Sequence, residues 1–443
     1  MRNDTRPDHV FAPLPRAQCA LRVVALCACA ASTSALAAGG LSLLEIGTRD
    51  LGLAGAGYAA RAEDASTAFT NPAGMTRIIG NDVVLGAQLL YGDVKFSPNA
   101  NTSQSPPAVL GSDNGGNPIG WLPGGSAFYV HSVSDDVKLG FGLAGNFGLA
   151  EKFNDDWVGR YYIQQSTLVG LTLMPSAAWK ANAKLSFGVG LNAMYGILKT
   201  QMAINNLAAA APDGQLKIED RTWGFGGTLG MLYELSPGTR LGATYTSRIR
   251  LDFRAQPQIT GSGTALENSL RAAFGSQQLD LGMNVPQSVM TSVVHQLDSQ
   301  WAILGNLGWQ QWSKFGEVEV SVNSASPSSL TTQSKFKDTW HAAFGAQYRY
   351  SDPWLLSGGI AYDSSLVSDA DRSIVLPLGA AWSFGAGARY QVRKAFDVSF
   401  GYELKWAGDL QVDNNRGPLA GRVAGDYKSA ALHFFGVTFH WNL

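Results

Sequence analysis

Apolar and polar residues alternate with a period of two along most of the chain after residue 80, the mark of strands whose two faces meet different surroundings. In residues 241–254, Leu241, Ala243, Tyr245, Ile249, Leu251 and Phe253 share one face, with Ser247 its only polar member. Gly242, Thr244, Thr246, Arg248, Arg250, Asp252 and Arg254 take the other. The chain ends the same way: Phe435, Val437, Phe439, Trp441 and Leu443 alternate with Gly436, Thr438, His440 and Asn442.

Turn signals divide the alternating region. Short polar turns fall at 134–136, 181–183, 236–239, 298–299, 351–353 and 393–394. Longer stretches rich in Gly, Pro, Ser and Asn fall near 98–125, 151–158, 204–216, 256–282, 323–331, 365–375 and 413–426. Short and long connections alternate strictly, so six short and seven long ones join fourteen strands, with both ends on the short-turn side. Short turns at one end, long loops at the other and an even strand number are what a bacterial outer-membrane barrel requires. No stretch after the leader offers about 20 consecutive apolar residues, so a helical span is not expected. Lipid leaves no unpaired backbone group satisfied, so such a sheet must close on itself. The expectation is an all-β, transmembrane antiparallel β-barrel of about fourteen strands over residues 81–443. The apolar last strand is similar to the C-terminal assembly signal of outer-membrane barrels, with Leu443 in place of the usual terminal Phe.

Residues 38–80 show little alternation, yet Leu41, Leu43, Leu44, Ile46, Leu51, Leu53, Phe69, Ile78 and Ile79 are too apolar for a solvated tail. A barrel of this size leaves an open lumen unless something fills it. The segment is therefore expected as an N-terminal hatch inside the barrel. GLAGAG at 52–57 is superficially a dinucleotide loop, but no β-α-β unit surrounds it.

Composition narrows the function. Charged residues are 15% of the chain, against about 25% in soluble domains, and glycine supplies 51 of 443 residues. A formal charge of −1 offers no basic excess to displace counterions, which excludes nucleic acid as a partner. All three cysteines, Cys19, Cys27 and Cys29, lie near the start. There VVALCACAASTSALAA at 23–38 follows Arg16 and Arg22. This reads as a signal peptide of residues 1–37, cut between Ala37 and Ala38; a signal anchor is the alternative. The leader carries four Arg and two Asp, so the mature 406 residues have net charge −3 and no thiol. Thiol catalysis, zinc-thiolate sites and disulfides are excluded. His131, His295, His341, His433 and His440 are scattered singly, and no nucleophile or metal motif accompanies them. Neither an enzyme, a cofactor nor a bound metal is expected. Trp121, Trp157, Trp301, Trp354 and Trp441 at strand ends suit the two aromatic girdles of a barrel.

Several segments, in order, carry a family resemblance. They are AGGL at 38–41, EDASTAFTNPAGMTRI at 63–78, NFGLAEKFND at 146–155, WGFGGTLGMLYEL at 223–235 and GATYTSRIRLDF at 242–253. NVPQSVMTSVVHQLDSQWAI at 284–303 with QQWSKF at 310–315, and FKDTWHAAFGAQYRYSDPWLLSGGIAYDSS at 336–365, complete the set. Over essentially the whole mature chain the protein resembles the FadL/TodX family of outer-membrane channels for hydrophobic compounds. The resemblance implies a fourteen-stranded barrel with an N-terminal hatch. It also implies passive uptake of a hydrophobic molecule that enters an external groove, rests in an apolar pocket and leaves sideways where the third strand kinks. Carried over residue by residue, Ala38, Leu41, Leu43, Asn71, Pro72, Ala73 and Gly74 are the hatch and ligand-binding positions, and Asn146, Phe147 and Gly148 the kink.

The resemblance makes long-chain fatty acids the default ligand. Members that take them resemble one another in placing basic side chains at the carboxylate site. The matching end of strand five, GILKTQMAINN at 196–206, has Lys199 as its only cation. A buried carboxylate without a paired cation is costly, which raises neutral monoaromatic or alkane hydrocarbons as the alternative. A lipid-modifying outer-membrane enzyme would need a nucleophile–His arrangement that the chain does not offer. The expected partners are the hydrophobic ligand, outer-membrane lipid and lipopolysaccharide, around a monomer.

Overall fold

A computed structural model describes residues 41–443 apart from 104–109, 206–211, 262–277, 316, 324–327, 334, 376 and 417–419. Fourteen antiparallel strands form the wall: β1 (Asp82–Asp93), β2 (Gly120–Ser132), β3 (Val137–Lys152), β4 (Gln165–Lys180), β5 (Leu185–Ile204), β6 (Gly214–Ser236) and β7 (Thr239–Thr246). The second half is β8 (Ser288–Gln296), β9 (Trp301–Gln310), β10 (Thr339–Ser351), β11 (Trp354–Asp363), β12 (Ala381–Arg393), β13 (Phe396–Asn415) and β14 (Arg422–Asn442). Each pairs with its neighbours in chain order, and β14 pairs back onto β1 from Asp82↔Asn442 to Asp93↔Ala431, closing the barrel. Leu443 N donates to Asn81 O at 2.7 Å, so the last residue locks beside the start of β1. The six short turns and seven long connections fall where the turn signals placed them.

Alternation decides which face meets lipid. On β5 Phe187, Val189 and Leu191 stand exposed, and on β6 Trp223, Phe225, Leu229 and Met231 do so, while the residues between them point inward. In water each such side chain would forfeit about 1.5–3 kcal/mol of burial; in hydrocarbon it does not. Aromatic pairs mark both edges of this band. Trp301–Tyr348, Trp354–Tyr390 and Phe396–Trp441 lie at the short-turn end, with ring centroids 4.5, 4.7 and 5.1 Å apart. Tyr91–Trp121 and Tyr362–Trp382 lie at the long-loop end, 4.7 and 5.0 Å apart.

Two expectations need correction. Trp157 is no girdle residue: it is fully buried in the β3–β4 connection, stacked on Phe153 at 3.9 Å and donating from Nε1 to Ile163 O at 2.6 Å. The apolar face read through 241–254 does not meet one environment either. Leu241 and Tyr245 face lipid, but β7 stops at Thr246. Ser247 N donates to Gly227 O at 2.8 Å, and Gly227 N donates back to Ser247 Oγ at 2.9 Å. The chain then turns, and the strand Ile249–Ala255 buries Ile249, Leu251 and Phe253 over the inner faces of β5 and β6 at Gly196 and Gly224. With Gln278–Val285, Glu317–Asn323 and Ser328–Gln333 it forms a separate four-stranded sheet.

Two short helices of the N-terminal segment pack against the strands. The helix Thr48–Leu53 packs on β11 to β14, and the 3-10 helix Pro72–Arg77 packs on β3 to β6, the opposite arc. The approach is close enough to require glycine in the wall: a Cβ on Gly242 of β7 would sit 1.9 Å from Ala59 O.

Candidate transport path

The Asn-Pro-Ala-Gly segment is held by one side chain. Asn71 Nδ2 donates to Ala59 O at 2.5 Å and to Met231 O of β6 at 3.0 Å, while Asn71 Oδ1 accepts from Ala73 N at 3.1 Å. Pro72 opens the 3-10 helix, where its missing N–H costs nothing. Pro72, Ala73 and Gly74 are all buried. Thr76 Oγ1 bonds Ser186 Oγ of β5 at 2.8 Å. The motif thus ties the N-terminal segment to the inner wall at β5 and β6.

The other sequence-derived residues converge on β3. The β2–β3 ladder runs only from Ser132↔Lys138 to Ser126↔Ala144, although β2 continues to pair with β1 as far as Gly120. On the β4 side the register shifts between Gly145 and Phe147, leaving Asn146 out of step. Gly148 has φ +147, and a Cβ there would lie 2.5 Å from Leu168 O, so only glycine fits without strain. The side of β3 abandoned by β2 is taken by the N-terminal segment. Leu43 N donates to Asn146 O at 2.9 Å, Gly148 N donates to Leu41 O at 2.8 Å, and Ser42 bridges Phe147. Leu41, Leu43, Asn146, Phe147 and Gly148 therefore form one site. Asn71, Pro72, Ala73 and Gly74 anchor the same segment further along. Ala38 lies outside the described residues.

Beside this site the lumen holds a cavity of about 80 Å³. Its apolar lining includes Leu43, Leu44, Phe69, Met174, Met194 and Met290, with Phe147 at the kink end. Its polar lining is neutral: Thr172, Asn192, Thr228, Thr244 and Gln310, among others. Asn192 Nδ2 donates to Thr228 Oγ1 at 3.0 Å, and Thr172 Oγ1 donates to Asn146 Oδ1 at 2.7 Å, so these groups are partly satisfied among themselves. Among the described residues no charged side chain lines this space. Lys199 stands opposite Glu219 in the β5–β6 ladder and shares the outward parity of Leu191 and Tyr195, while Met194 and Leu198 point in. It cannot meet a ligand in the pocket.

Sequence reasoning did not find the charges that seat the segment. Lys405 Nζ of β13 pairs with Glu45 at 2.6 Å and with Asp363 at 3.5 Å, and His341 bonds Asp363 at 2.8 Å. Arg49 pairs with Asp64 at 2.7 Å and Asp397 at 3.7 Å, and Arg61 pairs with Asp50. His440 bridges Asp82 at 2.7 Å and Asp397 at 2.6 Å. Burial pushes the Asp64 carboxyl up, but Arg49, His440 and two Ser66 hydrogen bonds outweigh it and hold Asp64 down at about 2. The available signal was position. Asp397 and Lys405 alternate with the outward Phe400 and Trp406, and an ionisable residue facing a barrel interior invites a search for its partner.

The long-chain fatty acid transport protein of Salmonella typhi is 30% identical over 409 residues, covering 87% of this chain and 91% of that one. The crystal structure of a Pseudomonas aeruginosa FadL homologue aligns with a TM-score of 0.81 at 19% identity, over 91% of this chain and 99% of the other. The toluene transporter TodX of P. putida aligns with a TM-score of 0.64 at 17% identity, over 92% and 99%. At those identities the two structures speak for the fold. The family described as outer membrane protein transport protein (OMPP1/FadL/TodX) matches residues 28–442, and the chain belongs to it: a channel of the bacterial outer membrane for hydrophobic molecules, and not an enzyme.

Proposed function

We propose that the protein takes up a hydrophobic small molecule passively and releases it sideways into the bilayer. The observation that carries this reading is the interrupted β2–β3 ladder, with Leu41 to Leu43 occupying the vacated edge of β3 beside the neutral pocket. Leaving such a pocket for water costs about 25 cal/mol per Å² of apolar surface. A gap in the wall lets the ligand pass from pocket to hydrocarbon without that penalty. Residues 41–80 then serve as a hatch that blocks the straight route and shapes the pocket. Residues 1–37 act as a cleaved leader, and the mature chain works as a monomer within outer-membrane lipid and lipopolysaccharide.

For the ligand, a pocket with no cation among the described residues favours a neutral hydrocarbon over a carboxylate. The second reading, a long-chain fatty acid, is favoured by the name of the Salmonella typhi relative, which matches along most of its length. Uptake of radiolabelled toluene and of oleate by cells expressing only this channel separates the two. Toluene entry well above the empty-vector rate, with oleate at background, is expected. Oleate entry with toluene at background would reject the neutral-ligand reading.

A further inference from the structure

A second cavity of about 390 Å³, open to solvent, lies at the short-turn end of the lumen, beneath the N-terminal segment. Its lining differs in kind from that of the hydrophobic pocket. Four arginines reach it: Arg77 from the N-terminal segment, Arg240 from β7, Arg349 from β10 and Arg389 from β12. The two carboxylates in the lining are already engaged. Glu63 pairs with Arg49 at 3.2 Å, and Asp82 bonds His440 at 2.7 Å and Ala65 N at 2.7 Å. Arg77 pairs with Glu234. Arg240, Arg349 and Arg389 have no ion-pair partner among the described residues. Arg240 Nε and Nη1 are cut off from solvent and make no hydrogen bond there.

Four guanidiniums crowd positive charge around one space, only partly offset by Glu63, and the shielded Nε and Nη1 donors of Arg240 are left without acceptors. A small oxyanion removes both penalties, because a guanidinium offers a planar fork of donors that matches carboxylate or phosphate oxygens. Gln296, Gln300 and Gln347 add neutral amides around the same space. We propose that this short-turn vestibule binds an oxyanion, a carboxylate or a phosphate, at a site separate from the hydrophobic pocket. The N-terminal segment contributes Arg77 and Glu63 to the lining, so an anion bound there also steadies the seating of that segment.

The test uses the purified full-length protein in neutral detergent at low chloride. Inorganic phosphate, and separately acetate, are titrated while the heat of binding is measured. Saturable binding is expected, weakened about tenfold or more by Arg240→Gln with Arg389→Gln and untouched by Arg393→Gln, whose side chain lies outside the cavity. Competition by acetate at similar concentration identifies the shared carboxylate chemistry. Phosphate binding that acetate leaves intact identifies free phosphate or a phosphorylated headgroup as the source. A variant lacking residues 146–148 should bind as tightly as the parent, so failure of the lateral-exit reading leaves this one standing. Absence of saturable binding by both ions overturns the proposal. So does unchanged affinity in the double variant, provided it keeps the heat-modifiable gel migration of a folded barrel; Arg349→Gln alone serves if it does not.

Discussion

Asn71 bonds three backbone groups with one side chain, two carbonyls and one N–H, and so links the turn at Ala59 to the wall at Met231 of β6. An alanine there removes all three bonds at once, and each buried group left unpaired costs roughly 1–3 kcal/mol. Asn71 itself takes no part in the barrel ladder, so Asn71→Ala should leave the folded gel band intact while residues 41–80 become cleavable by trypsin at Arg61 or Arg77. A segment as resistant as the parent's would refute this role. Asn71, Pro72, Ala73 and Gly74 could be picked out beforehand because their order carries the family likeness. The partners of Lys405 could not. An inward lysine on a strand reads the same whether water or Glu45 faces it, and Glu45 sits in a segment whose path no periodicity describes.

At the scale of elements, the short turns were the most legible feature, since a chain that reverses within a few residues must show polar and Gly, Pro or Asn signals there. The strand Ile249–Ala255 was not. Period-two alternation says that two faces differ without saying which one meets lipid, and the bend at Ser247 carries no distinctive residue. The neutrality of the pocket was half visible: Lys199 was the one cation near the end of β5, and its parity on the strand points it away. The N-terminal segment contributes two hydrogen bonds to the free edge of β3, through Leu43 N and Leu41 O. Deleting residues 41–46 should therefore leave the barrel assembled and alter the uptake rate. An unfolded, degraded product would make the segment structural rather than gating.

For the whole molecule, the two aromatic belts and the closure of β14 on β1 set the orientation. Short turns face the periplasm in barrels of this kind. A protease site inserted at Asn182 or Asp352 should be protected in intact cells, whereas one within 256–282 should be cut; the reverse pattern would invert the topology. The central claim is that ligand leaves through the wall where β2 and β3 part. Removing residues 146–148 takes out the register shift and the positive-φ glycine together, letting β3 run straight and close the gap. The measurement is the initial rate of hydrophobic substrate uptake by cells carrying this deletion, with folding checked by heat-modifiable migration. The account predicts a folded barrel with uptake at background. A folded deletion variant that takes up substrate at the parental rate would contradict it.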